Sequence, residues 1–410
     1  MSDVSISLFA DTHVGMRRAA NEDSFLIADL TRSENDNGAE LIAHSLGDNG
    51  YLMAVSDGMG GAAAGEVASE LAVRTLFEEL TKPLACESLA EHLQIATEIA
   101  NERIWNYAQQ NPELLGMGAT LTAVLVKDNI AHIAQVGDSR AYLIRNGNAE
   151  QLTRDQSLVQ ALLDSDMIQP DQAHLIPQNV ILQALGTQPA VSVVMTEMEL
   201  CQGDLLLVCS DGLSNKIRDE EMPRVIGETD NLKAAGTRFI EVANERGGED
   251  NITVIVAAFS GADLKATTQT KRITGSYNAF EKTISYEEAA FIASRYVPPN
   301  GQDDEASDEE HRAPVTGVLR MPASLAAEAE NADGQGEYIT DATQAREFFE
   351  RQRTANERRN LTMWIIALVL LLLLAVAGYF FVKPRFEKHN DSERPTENLN
   401  RSPSHSLLHS

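Results

Sequence analysis

Short apolar runs, each closed by Gly, Asp or Asn, recur from the N-terminus to about residue 260. Runs of this length, rich in Val, Ile and Leu, predict β-strands. They fall at Ser5–Ala10, Ser24–Ala28, Tyr51–Val55, Thr120–Val126, Ala131–Val136, Ala141–Arg145, Val191–Glu197, Leu205–Cys209 and Thr253–Ala258. Helices are expected in pairs: Ala63–Leu80 with Glu87–Gln110, and Asp219–Ile226 with Leu232–Arg246. Paired helices between strand runs do not fit regular βαβ alternation. They suit mostly antiparallel sheets packed together under helical hairpins. Residues 155–185, with Pro170 and Pro177, read as an irregular helical excursion.

The pattern changes after residue 260. Residues 261–355 are polar and acid-rich, and "PPNGQDDEASDEEHRAP" has the composition of a disordered linker. Within it "SYEEAAFIASRY" (285–296) is a candidate short helix. Residues 361–382, "LTMWIIALVLLLLLAVAGYFFV", carry no charge. That is long enough for the ~20 residues a membrane-spanning helix needs. Trp364 and Tyr379 stand near its ends, where aromatic rings favour the interface. Basic residues flank both sides (Arg351, Arg353, Arg358 and Arg359 before; Lys383, Arg385 and Lys388 after), so the positive-inside bias does not orient it. No export signal is seen at the N-terminus, which puts the large domain in the cytoplasm and 383–410 beyond an inner membrane. The expected organisation is a domain over 1–260, a linker over 261–355, a transmembrane helix over 361–382 and a short tail.

Charge narrows the partners. The chain has 33 Lys and Arg against 61 Asp and Glu, a formal net charge of −28. Such a surface excludes nucleic acid as the expected partner, because phosphate backbones are bound by Lys and Arg. Cys86, Cys201 and Cys209 are widely spaced without a CxxC, which predicts neither disulfides nor zinc.

The candidate chemistry lies in aspartates at strand ends. "VSDG" (55–58) and "VCSDG" (208–212) repeat a strand-Ser-Asp-Gly device. "VGDSR" (136–140) ends a third strand, "GGEDN" (247–251) precedes the last, and "NEDS" (21–24) precedes an early one. Taken alone, Asp57-Gly58 is turn chemistry, with the strand ending at Val55 and Gly supplying positive φ. Taken together, carboxylates at strand ends converge on one edge and repel unless a cation lies among them. An all-oxygen set suits a hard cation, Mg²⁺ or Mn²⁺, rather than zinc. Gly58 would let its own carbonyl approach that ion.

"RAANEDS" (18–24), "SDGMGGAAAGE" (56–66), "GMGAT" (116–120), "GDSR" (137–140), "SDGL" (210–213) and "GGEDNITVIV" (247–256) stand in the order seen in metal-dependent protein serine/threonine phosphatases. Residues 5–260 thus resemble the PPM, or type 2C, family in its bacterial style. The resemblance implies an α+β fold, a four-layer αββα sandwich of two mostly antiparallel sheets. It implies two Mn²⁺ or Mg²⁺ ions bridged by Asp57. Glu22 and the Gly58 carbonyl complete one shell, and Asp211 and Asp250 hold the other. Asp138 with Asp211 takes a weaker third ion. Arg18 grips the substrate phosphate, and Asn251 orients a neighbouring ligand. The implied reaction is in-line attack of an activated water on phosphoserine or phosphothreonine in proteins, opposing a serine/threonine kinase. The alternatives are a non-catalytic phosphatase-like sensor or scaffold, and a hydrolase of small phosphorylated molecules. The general acid is open: Met59 and Ala62 stand where relatives carry His, and His13 is a candidate.

Overall fold

Every residue from Tyr51 to Val55 is buried, because both faces of this strand are covered. Tyr51, Met53 and Val55 enter one hydrophobic core, while Leu52 and Ala54 enter another. The same two-sided burial explains why the main strands read as continuous apolar runs rather than alternating ones.

The computed structural model describes residues 3–35, 41–83, 86, 88–266 and 272–273. The expected linker beyond 273 and the membrane span at 361–382 lie outside the described residues. Among the described residues no helix is long and apolar enough to cross a membrane. The strands are β1 Val4–His13, β2 Asp23–Asp29, β3 Glu34–Asn35, β4 Leu41–Ser45, β5 Tyr51–Met59, β6 Gly118–Ala119, β7 Leu121–Lys127, β8 Ile130–Val136, β9 Arg140–Arg145, β10 Asn148–Gln151, β11 Val194–Glu199, β12 Leu205–Cys209, β13 Ile252–Gly261 and β14 Arg272–Ile273. The helices are α1 Ala62–Leu80, α2 Leu89–Gln110, α3 Leu158–Asp164, α4 Asp211–Ser214, α5 Met222–Gly227 and α6 Leu232–Glu245.

One sheet has the order β10-β9-β12-β13-β1-β4, and the other β14-β11-β8-β7-β5-β2-β3, with β6 paired to the end of β5. All ladders between these strands are antiparallel. The sheets face each other across a core that includes Ile6, Leu8, Met53, Val55, Val124, Ile133, Leu206, Val208 and Ile255. Fully burying each such side chain contributes roughly 1.5–3 kcal/mol. The outer face of the second sheet packs on α1 and α2 through Ala64, Ala68, Ala72, Leu76, Leu93, Ala96, Ala100 and Ile104. Their three- and four-residue spacing keeps each set on one helix face. The outer face of the first sheet packs on α5 and α6 through Leu207, Cys209, Val225, Phe239, Ile240, Val254 and Val256. These are the four layers expected from the sequence.

Boundaries differ for local reasons. Helix α2 begins at Leu89, not Glu87, because Ser88 caps it: its Oγ accepts the Glu91 N–H at 3.1 Å. The helix expected over Asp219–Ile226 is a 3₁₀ turn, Asp219–Glu221, followed by α5, with Pro223 in its first turn. Pro lacks an N–H and is tolerated there. The expected strand at Val191 starts at Val194. Strands β3 and β10 carry too little apolar pattern to be seen in sequence.

The excursion over 155–185 holds α3 and a 3₁₀ turn, Pro170–Leu175. Its ends are tied together: Leu158 N donates to Val180 O at 2.9 Å, and Leu182 N to Gln156 O at 2.8 Å.

Candidate active site

Asp57 is not in a turn. Strand β5 continues through Ser56, Asp57 and Gly58 to Met59, because β6, distant in sequence, supplies the ladder partner. The turn reading fails on that point. Ser56 Oγ donates to Thr120 O at 2.7 Å, and Asp57 N donates to Thr120 Oγ1 at 2.9 Å. In the alternation of β5, Asp57 follows Tyr51, Met53 and Val55, so it points between the sheets. Gly58 does not have a positive φ; space explains it instead. A Cβ there would lie 2.1 Å from the Gly65 carbonyl oxygen and 2.6 Å from that of Glu22.

Strand β2 brings the next carboxylates. Its register sets Asp23 directly opposite Asp57, and Gly58 N donates to Glu22 O at 3.1 Å. Side chains opposite each other in an antiparallel pair stand about 4.5–5.5 Å apart at Cβ. The sequence singles out Glu22 rather than Asp23. Its position next in the row after Ile27 and Phe25 is the signal that could have found it. Ser210 Oγ and Thr253 Oγ1 donate to Asp23 Oδ2 at 2.8 and 2.6 Å, while its Oδ1 is buried without a partner.

The other sheet supplies Asp211 and Asp250. Asp211 opens α4 directly after β12, and Asp250 precedes β13. Asp211 Oδ2 accepts from Asn215 Nδ2 at 3.1 Å, and its Oδ1 is buried without a partner. Asp250 Oδ2 accepts from Arg18 Nη2 at 2.7 Å. The Arg18 side chain is 10% exposed, and its Nε is buried without a partner. Asp138 lies between β8 and β9, with Asp211 and Asp155 as its nearest like charges.

Asn251 joins the two halves. Its Oδ1 accepts the Glu22 N–H at 2.8 Å; its Nδ2 donates to Val14 O at 2.9 Å and Ala20 O at 3.0 Å. The loop bearing Arg18 and Glu22 is thereby pinned to the Asp250 segment.

Electrostatics follow from this crowding. Burial, then Asp23, Asp211, Asp250 and Asp138, push Asp57 well above the usual carboxylate range. Burial and then Asp211 do the same for Asp138. Burial raises Asp23 to about 7 against its two hydroxyl donors, and burial with Asp250 raises Asp211 to about 6. Asp57 offsets part of that rise at Asp211, whose Oδ1 nonetheless has no hydrogen-bond partner. Asp57 is half-buried, and burial is the largest of the causes that raise it. Burial opposes the Arg18 charge, but Asp250, Asp57 and Glu22 outweigh it and hold the guanidinium protonated.

Arg18 is the one cation bonded directly to this acidic set among the described residues; Arg140, beside Asp138, is committed to Asp155 at 2.6–3.1 Å and to the Tyr142 hydroxyl. No three of the described His, Cys, Asp and Glu side chains form a finished metal cage. The donor set nonetheless fits hard divalent cations: all oxygen, mutually repelling, with orphaned buried oxygens on Asp23 and Asp211.

The candidate proton donors fare differently. Met59 is 4% exposed and packs on Ile181 and Ala184, at the end of the 155–185 excursion. An apolar joint therefore occupies that position. His13 Nδ1 accepts the Gly15 N–H at 2.9 Å and lies 3.3 Å from Asn244 Nδ2 on α6. Its contacts belong to the loop and to α6, and the general-acid expectation gains no support from them.

The sequence profile of protein phosphatase 2C matches residues 35–255. The chain is 41% identical over 213 residues to the serine/threonine phosphatase stp of Listeria monocytogenes, covering 51% of this chain and 84% of that one. It is 39% identical over 206 residues to the serine/threonine protein phosphatase PstP of Mycobacterium tuberculosis, covering 50% of this chain and 40% of that one. Among solved structures, M. tuberculosis PstP superposes with a TM-score of 0.53 at 36% identity, covering 62% of this chain and 98% of that chain. Stp1 of Staphylococcus aureus gives 0.54 at 32% identity, covering 64% and 96%. The PstP catalytic domain was also solved with two manganese ions (TM-score 0.52, 35% identity, covering 62% and 99%). With the profile spanning more than half of its length, the chain belongs to the protein phosphatase 2C family.

Proposed function

We propose that the chain is a metal-dependent protein serine/threonine phosphatase that hydrolyses phosphoserine and phosphothreonine in proteins. The observation that carries this reading is the acidic set of buried Glu22, Asp23, Asp138 and Asp211 with half-buried Asp57 and Asp250, beside one guanidinium, Arg18. Asp57, Asp211, Asp250, Glu22 and the Gly58 carbonyl would hold two Mn²⁺ or Mg²⁺ ions, with Asp138 and Asp211 offering a third, weaker site. Such ions supply charge neutralisation and an activated water at neutral pH. Arg18 presents a planar fork suited to phosphate oxygens. Asn251 fixes the loop that carries it, and Ser210 and Thr253 fix Asp23. Low local polarity beneath the carboxylates, set by the inter-sheet core, strengthens each of these interactions.

Composition supports the remaining parts of the proposal. Residues 361–382 anchor the enzyme in an inner membrane, with the domain in the cytoplasm opposite a serine/threonine kinase. The expected linker over 261–355, of which Arg272–Ile273 pairs with β11, would act beyond β14 as a tether that raises local concentration at membrane phosphoproteins without fixing orientation.

A manganese titration against a phosphothreonine peptide and a small phosphoester tests the reading. Metal-dependent hydrolysis of both, with the peptide preferred over free phosphorylated metabolites, is expected. No hydrolysis at any metal concentration would favour a scaffold; a preference for metabolites would reassign the substrate.

A further inference from the structure

The loop that carries Arg18 turns two other side chains outward. Met16 is 64% exposed, the most exposed large hydrophobic residue described. Arg17 is exposed as well, and among the described residues it has no hydrogen bond or ion pair. Its neighbour is Glu249, which is already bonded to Lys216.

This tip is held in place. Gly15 has φ +80°, and a Cβ there would lie 2.1 Å from the Asp250 carbonyl oxygen. Met16 N donates to Gly248 O at 2.7 Å, and Asn251 fixes both Val14 and Ala20. Both side chains therefore stand on a rigid ledge beside the buried Arg18. Successive Cα atoms are about 3.8 Å apart, and an extended peptide advances about 3.3 Å per residue. A phosphoprotein whose phosphate meets Arg18 brings its next residue over this ledge.

Resting on the phosphatase reading above, we propose that the Met16–Arg17 tip determines specificity by favouring an acidic side chain beside the phosphorylated residue. Arg17 is the cation that such a side chain meets. Met16, unbranched and polarisable, offers an adaptable apolar shelf for the aliphatic part of the same segment. The chain's formal charge of −28 makes an exposed, unpaired arginine such as Arg17 a distinctive feature of its surface. Arg17 is a specificity contact, distinct in role from Arg18. Exposed ion pairs change affinity up to about fivefold, and salt screens them.

The test uses phosphothreonine peptides identical except for Asp, Ala or Lys beside the phosphorylated residue, tried on each side. kcat/KM is measured for the wild type, Arg17→Ala, Arg17→Glu and Met16→Ala, with para-nitrophenyl phosphate alongside. The wild type should prefer Asp over Lys by up to about tenfold. Arg17→Ala should flatten that preference, Arg17→Glu should invert it, and about 0.5 M salt should erase it. Met16→Ala should slow all three peptides without changing their order. A wild-type enzyme that cleaves the ester but ranks the peptides equally overturns the inference and leaves the phosphatase reading intact. So does an Arg17→Glu variant with the wild-type ranking. Failure of the wild type to cleave either substrate would remove the phosphatase reading, and this inference with it.

Discussion

Two segments of this chain share the tripeptide Ser-Asp-Gly and differ in backbone. Ser56-Asp57-Gly58 lies inside strand β5, where Asp57 faces Asp23 across an antiparallel pair. Ser210-Asp211-Gly212 leaves a strand and opens the four-residue helix α4. Both carboxylates nonetheless join one acidic set: Asp211 helps to push Asp57 upward, and burial with Asp250 pushes Asp211 upward. Both glycines serve the same end. A Cβ on Gly58 would lie 2.1 Å from the Gly65 carbonyl oxygen, and one on Gly212 would lie 2.0 Å from that of Asn251. The tripeptide therefore does not encode a turn. It places a carboxylate at the end of a strand buried on both sides, followed by a residue small enough for another backbone to close over it.

The largest effect should come from the carboxylates. Asp57→Asn and Asp211→Asn should each lower Mn²⁺-supported phosphopeptide turnover by about a thousandfold or more, because each removes charge that a bimetal site needs. Both should stay folded, and in chelator their Tm should rise, since one repelling charge is gone. A variant retaining most of its activity would break the equivalence of the two segments.

Gly58→Ala and Gly212→Ala come next. Both meet backbone rather than a flexible side chain, so each should cost about 3 kcal/mol or more of stability, as overpacking does. Denaturant melts would check this. If only one variant is destabilised, the shared packing role is confined to that copy.

Arg18 is the cation both copies face. Arg18→Lys should raise KM for phosphoester about tenfold with a smaller change in kcat, because a fork becomes a point charge. An unchanged KM would remove Arg18 from phosphate binding.

The smallest effect is a pH dependence of the metal-free protein. Asp211 at about 6 and Asp23 at about 7 lie above their ordinary value of 3.8, so the folded state binds more protons than the unfolded one between about pH 4 and 7. Stability should therefore be highest near pH 4 in this respect and fall as pH rises to 7. Added Mn²⁺ should abolish that fall. Thermal melts in chelator across this range would show it; a flat profile would mean the two segments are less crowded than the geometry indicates.

Much of this was legible in the sequence. Two-sided burial makes strands read as plain apolar runs, so β5, β7, β8, β9 and β12 were visible from composition. Paired helices, and carboxylates recurring at strand ends, were equally visible. Glu22, Asp57, Asp138, Asp211 and Asp250 stand out as acidic positions beside strand ends, whereas Arg18 is named only through the resemblance. Tertiary structure decided the rest. Whether Asp57 sat in a turn depended on β6, about sixty residues away, which supplies the ladder that keeps the strand going. Asp23 became part of the site through its register with Asp57 and through hydroxyls from Ser210 and Thr253 in the other sheet. The role of Asn251 required three acceptors and donors from a loop more than two hundred residues earlier. Local sequence marks the acidic residues that follow apolar runs; only tertiary pairing and the packing of two sheets set where each strand ends and which ends meet, because that is fixed by burial summed over the whole core.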